Sequence, residues 1–219
     1  MKDRQSVRMR AIFTNRLSVC QADMATKIEK AASTRAKIIA VARRLFAARG
    51  YDATSTEAVL EESQVSRGAL YHHFENKEAL FAAVLEAVEV DITAATARAR
   101  TNVSDPVQAL GLAFDNFLDM ACETEVRQIV LTDAHSVVGW QKWREIEERH
   151  GLGRLKQALK AIADTGRIRH DMVDVFAHIL LASLIEVAFL VARSPDPAAA
   201  AKTGRSAMKE LLERLLAKR

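Results

Sequence analysis

The sequence predicts an all-α chain, with a small N-terminal unit of three helices followed by a larger helical domain. Three observations support this. Apolar residues make up 49% of the 219, while Pro and Gly number only three and eight, too few for a loop-rich or all-β chain. Apolar positions recur at spacings of three and four along most of the chain, which is the period of an amphipathic helix. Ser, Thr, Asp or Asn stands ahead of several of these runs, where helix caps belong.

Charge is placed unevenly. The net charge is +4, but residues 1–80 carry 14 Lys+Arg against 9 Asp+Glu, and residues 81–219 carry 18 against 19. A basic head on a near-neutral body suits a polyanion at one end. Cys20 and Cys122 are far apart and in no metal or redox spacing, so a reducing cytoplasm is the expected setting. No unbroken apolar run reaches about 18 residues, so no membrane span is expected. The longest candidate, 172–192, is interrupted by Asp174, His178 and Glu186.

Residues 1–32 read as a basic, partly mobile extension, either a plain disordered lead-in, with Met24 as an alternative start, or an arm whose Lys2, Arg4, Arg8, Arg10 and Arg16 track phosphate or enter a minor groove. Helix one is expected from Ser33 or Thr34 to Ala48, with Ile38, Ile39, Ala42, Leu45 and Phe46 as its inner stripe. Gly50 ends it and Tyr51 packs back.

From Thr54 to Lys77 the caps divide the chain into two short helices and the start of a third. Thr54 with Glu57 forms a capping box ahead of Ala58, Val59 and Leu60. Ser66 caps a second helix, and Asn76 opens a third. Two short helices joined by a tight turn make a helix-turn-helix, whose second helix is sized for a major groove. Leu70 and Phe74 are four apart and face inward. Arg67 can contact guanine through two hydrogen bonds, and the Ala69 methyl can touch thymine. Gly68 permits close approach, while Thr54, Ser66, Tyr71, His72 and Lys77 are expected to position the phosphate backbone.

These residues resemble the TetR family of transcriptional regulators. Ala42-Arg-Arg-Leu-Phe-Ala-Ala-Arg-Gly-Tyr-Asp-Ala-Thr54 is similar to the family's first-helix run. Val65-Ser-Arg-Gly-Ala-Leu-Tyr-His-His-Phe74 with Asn76-Lys77-Glu78 resembles its recognition helix and the entry to helix four. The resemblance covers roughly residues 33–85. Val59-Leu60 and Ser63-Gln64 stand where the family usually has Ile-Ala and Ala-Gly. The turn is therefore expected to find its left-handed residue without a glycine.

Beyond the 33–80 head, residues 81–219 read as a helical effector-binding and dimerisation domain. The helix from Asn76 has no stop before Thr101, so about 24 residues would span about 36 Å and link head to body. Asp105-Pro106 opens the next helix, and a further one runs from Glu123 to about Val138. A short helix carries Trp140 and Trp143, and another spans Gly153 to Ala163. Phe114, Phe117, Met120, His135, Trp140, Trp143 and Phe176 are the candidates to line an effector pocket. His135, His150, His170 and His178 have no metal-ligand spacing, and neither metal nor cofactor is expected. No nucleophile, base and orienting group can be assembled, which argues against an enzyme.

The helix from 171 to 193 is apolar on nearly all sides and needs cover on all of them. With the helix at 197–218, opened by Asp196-Pro197, it is expected to form a four-helix interface in a homodimer. The resemblance implies the same. It also implies a repressor on a palindromic duplex operator, released by a small-molecule effector. Activation from the same fold is an alternative, as is a helical ligand-binding dimer that does not bind DNA.

Overall fold

A computed structural model describes residues 29–216. The basic arm expected at the N-terminus, with Cys20, lies outside these residues. Among the described residues every regular element is a helix. Helix α1 covers 29–49, α2 Thr56–Ser63, α3 Arg67–His73, α4 Lys77–Ala99 and α5 Pro106–Met120. A π-helix at Val126–Asp133 leads into α6 at Ala134–Arg149. Then come α7 at Gly151–Asp164, α8 at Val173–Arg193 and α9 at Pro197–Leu215.

Most of the caps fall as expected. Ser66, Asn76 and Asp196 each accept from the backbone N–H three residues on, and Asp105 accepts from Val107 ahead of an N-terminal proline. Two expectations need correction. The first helix has already formed at residue 29, and Thr34 lies inside it, donating to Lys30 O at 2.9 Å. The cap of α2 is Ser55, which accepts from Ala58 N, not Thr54. Thr54 is fully buried, and its hydroxyl donates to Gly50 O at 2.8 Å and Leu45 O at 3.3 Å. It therefore ties the end of α1 to the following turn.

Two apolar cores build the molecule. The first joins Ile38, Ala42 and Phe46 of α1 with Leu70 and Phe74 of the head and with Leu80, Phe81, Val84 and Val88 of α4. It continues into Val126, Ile129, Trp143 and Ile146, so the head and the start of the body share one core. The second gathers α5, α7, α8 and α9 around Leu118, Leu159, Ile162, Leu180 and Met208. Across the head–body contact, Arg43 of α1 holds Glu125 in a two-pronged pair at 2.6 Å and also reaches Asp91 of α4.

The stretch read as one helix from Glu123 to Val138 is π-helical through Asp133, then α-helical up to a break at Gly139, where φ is 72° and ψ 163°. Glycine adopts that conformation without the Cβ clash other residues meet. It separates Val138 from the tryptophan-bearing turn, where the sequence reading also divided the chain. By length and composition His170–Arg193 could cross a membrane, an 18-residue window within it having a mean hydropathy of 2.3. Here α8 packs one face on α7 and α9. Val175, Ile179 and Leu190 remain exposed on the other.

Candidate nucleic-acid interface and effector cavity

The turn between α2 and α3 depends on Gln64, whose φ of 53° and ψ of 33° place it in the left-handed region. This is the left-handed residue expected in place of glycine. Gln64 N donates to Leu60 O and closes α2, after which Ser66 starts α3. Leu70 at 0% and Phe74 at 3% exposure pin α3 to the core. Ser66, Arg67, Gly68, Tyr71 and His72 are exposed, and Ala69 is half-buried. A Cβ added to Gly68 would meet nothing within 4 Å, so nothing inside the protein demands glycine there. Arg67 pairs with Glu57 of α2 at 2.8 Å, with both side chains open to solvent.

Lys77 departs from its expected role. Its ammonium donates to Tyr51 O at 2.9 Å and Thr54 O at 3.1 Å and lies 3.9 Å above the Tyr51 ring. Two of its three N–H directions are thus used within the head. Tyr51 is held in turn by Phe46 and Phe81, with ring centroids 5.8 and 5.3 Å away. Its backbone N–H donates to Asp133 Oδ2 at 2.9 Å, and Asp133 Oδ1 accepts from Gln128 at 3.0 Å. Asp133 is the last residue of the π-helix.

On its other side the π-helix contributes Val130 and Leu131 to a cavity of about 120 Å³ inside the body. A single water needs only about 10–15 Å³ on the same kind of measure, so the space suits a small organic molecule. Phe114 and Phe117 of α5, Trp143 and His135 of α6, and Phe189 of α8 supply aromatic walls. His135 stacks on Trp143 with centroids 3.9 Å apart, and burial with the nearby Arg144 charge pushes its pKa down. Glu89 and Glu147 also line the space. Burial raises both carboxyls, Glu89 to about 7 and Glu147 to about 8. The Glu86 charge adds to the first shift, whereas Arg144 partly offsets the second.

The sequence comparisons agree with this arrangement. Residues 38–84 match the family described as bacterial regulatory proteins, tetR family, and residues 107–215 the tetracyclin repressor-like C-terminal domain. A TetR-family transcriptional regulator from Pectobacterium atrosepticum is 30% identical, with a TM-score of 0.73 over 87% of this chain and 97% of that one. The chain belongs to the TetR family. The Transposon Tn10 TetC protein of Escherichia coli is 25% identical over 68% of this chain and 75% of its own length. The regulator QacR of Staphylococcus aureus is 45% identical, but over only 24% of this chain and 28% of its own. RolR in complex with resorcinol has the same fold, with a TM-score of 0.67 at 20% identity over 88% of this chain and 97% of RolR.

Within this TetR-family fold, four of the seven expected pocket residues line the cavity: Phe114, Phe117, His135 and Trp143. The other three do not. Met120 packs against the core shared with the head, and Phe176 packs on the second core. Phe176 lies five residues before Leu181, or about 140° round the helix from the wall that α8 provides. Trp140, just past the Gly139 break, is 62% exposed with Arg144 over its ring at 4.7 Å. The cavity is also lined by Phe189, Glu89, Glu147, Arg100 and Arg154, which no motif in the sequence singles out. For Phe189 the signal was its place on an apolar helix. A helical carboxylate, by contrast, carries no mark of burial in the sequence. Thr54, being fully buried, has no surface to offer a duplex. Among the described residues, no group of three His, Cys, Asp or Glu is placed to hold a metal ion.

Proposed function

We propose that this chain is a cytoplasmic, dimeric transcriptional repressor, released from a palindromic operator when a small organic effector enters the body cavity. The observation that carries the reading is a chain of direct contacts. It runs from the cavity wall at Val130 and Leu131 through Asp133 to Tyr51 N, and from Tyr51 O to Lys77, the first residue of α4 after the recognition helix. A ligand that moved the π-helix would move the seat of α3 through rigid neighbours.

In the bound state Ser66, Arg67, Gly68, Ala69, Tyr71 and His72 face the duplex, Arg67 releasing Glu57 to reach a base edge. Effector control requires tighter binding of the ligand to the DNA-free arrangement. A preference of about 100-fold is worth about 2.7 kcal/mol. RolR, which shares the fold, forms a complex with resorcinol, a small organic molecule. Dimerisation would use α8 and α9, where Val175, Ile179, Leu190 and Leu211 are exposed.

A gel-shift titration on the promoter region of the chain's own gene, across a salt series with competitor DNA, tests the reading. Selective binding with a steep salt slope supports it. Absence of binding to any duplex at low salt overturns it.

A further inference from the structure

We infer that the cavity takes an organic monocation, an amine or quaternary ammonium carried on an aromatic or branched apolar body, with its charge beside Glu89 and Glu147. The inference rests on the reading of the cavity as the effector site and names the chemistry of what enters.

The charges around this end of the cavity do not balance. Glu147 is 6% exposed and pairs with Arg144 at 3.1 Å, so one carboxylate has a partner. Glu89 makes no ion pair or side-chain hydrogen bond among the described residues. Glu86, one turn before it on α4, is already held by Arg149 and by His150 at 2.7 Å. Of the two carboxyls lining this end, only Glu147 thus has a cationic partner. An unpaired carboxylate in an apolar cavity is costly, and either a proton or a cation relieves that cost.

The remaining cationic residues of the lining lie elsewhere. Arg100 closes the far end of α4, about 16 Å of helix rise from Glu89. Arg154 of α7 is exposed. Neither contributes to the charge environment of Glu89 or Glu147. His135, the other titratable group that α6 adds to the lining, is held towards its neutral form. The rings of Phe114, Phe117, Trp143 and Phe189 complete the fit, because aromatic faces attract a desolvated cation.

The two tryptophans give the readout. In a Trp140→Phe background the fluorescence reports Trp143, which stands in the cavity wall. Three probes of similar shape are titrated into the full chain: benzyltrimethylammonium, its uncharged isostere neopentylbenzene, and phenylacetate. Benzyltrimethylammonium is expected to bind about tenfold tighter than neopentylbenzene and to lose about that factor in Glu89→Gln or Glu147→Gln. Neopentylbenzene should not respond to either change. Cation affinity should also rise from about pH 6 to about pH 9 as the carboxyls ionise. Thermal melts of the two variants confirm that the carboxamides fold.

Equal binding of cation and isostere, or no loss in the Gln variants, overturns the inference. Preferred binding of phenylacetate also overturns it and assigns the cavity to Arg100 and Arg154. A gel shift with benzyltrimethylammonium separates this inference from the effector role. Carboxyl-dependent binding that leaves the duplex bound keeps the charge selectivity and removes the effector role. Release of the duplex by a neutral or anionic compound does the reverse.

Discussion

Asp133 Oδ2 accepts the backbone N–H of Tyr51 at 2.9 Å, joining the last residue of the π-helix to the turn that seats the recognition helix. Burial favours that bond, and Gly50 makes room for it. With φ at 77°, a Cβ on Gly50 would come within 3.0 Å of the Gln128 amide that steadies Asp133. Asp133→Ala leaves the Tyr51 amide without its acceptor and should cost about 1–3 kcal/mol of stability. Amide hydrogen exchange at Tyr51 should accelerate more than at neighbouring α1 amides. A Tyr51 amide as protected as before would mean that the head is held by other contacts.

Gly68 separates folding from recognition. A methyl there meets nothing in the protein. Gly68→Ala should therefore leave the melt unchanged or raise stability by up to about 1 kcal/mol, because alanine is the better helix former. If α3 enters a major groove, the same methyl meets the duplex, and operator affinity should fall about tenfold at constant salt slope. Unchanged affinity in the gel shift would put Gly68 outside the interface.

The head was more legible than the cavity, for physical reasons. Ser66, Asn76, Asp105 and Asp196 announce their helices because capping is local chemistry, decided within three residues. Thr54 and Ser55 are adjacent cap formers, and only the fold decides that Thr54 turns inward to Gly50 O while Ser55 caps. The αL turn at Gln64 followed from the space left where a glycine usually stands. The cavity depends on how α4 to α8 cross, which no local pattern records. Thus Phe114 and Trp143 stand in the cavity wall, Phe176 and Trp140 lie off it, and nothing local in the sequence marks Glu89 and Glu147 as lining it.

Arg67 and Glu57 form an exposed pair 2.8 Å apart on the face proposed to meet DNA. Exposed pairs of this kind add little to stability, so neither Arg67→Ala nor Glu57→Gln should shift the melt measurably. Their effects on DNA should be opposite. Arg67→Ala should cost about 1–3 kcal/mol on the preferred sequence and relax one base position. Glu57→Gln frees the guanidinium and removes a negative charge, and should tighten binding to any duplex. Equal weakening of all sequences by Arg67→Ala would mark it as a phosphate contact.

The exposed residues Val175, Ile179 and Leu190 lie on one strip of α8, since each is close to a whole number of turns from the next. Buried in a twofold contact, the strip would satisfy a helix whose other face is already packed on α7 and α9. Leu190→Glu should raise the dimer dissociation constant at least about tenfold and leave helicity intact. Sedimentation velocity across a concentration series checks this, and an unaltered dimer would move the interface off this strip.

Glu147 makes stability depend on pH in a window set by its own shift. Burial lifts its folded pKa from 4.5 to about 8. Its protonated form is favoured by the fold, so its contribution is fully present below about pH 4.5 and is lost as pH rises through about 8. A gap of that size corresponds to a few kcal/mol. Glu86 works the other way. Held down chiefly by Arg149, it stabilises at neutral pH and loses that contribution only as pH falls below its usual range. The two windows therefore lie on different sides of the ordinary glutamate value. The melting temperature should decline between about pH 5 and about pH 8, and Glu147→Gln should flatten that decline, the amide oxygen still accepting from Arg144. Thermal melts over that range decide the matter. An equally steep decline in the variant would mean that Glu147 is ionised throughout and that its charge is already matched by Arg144.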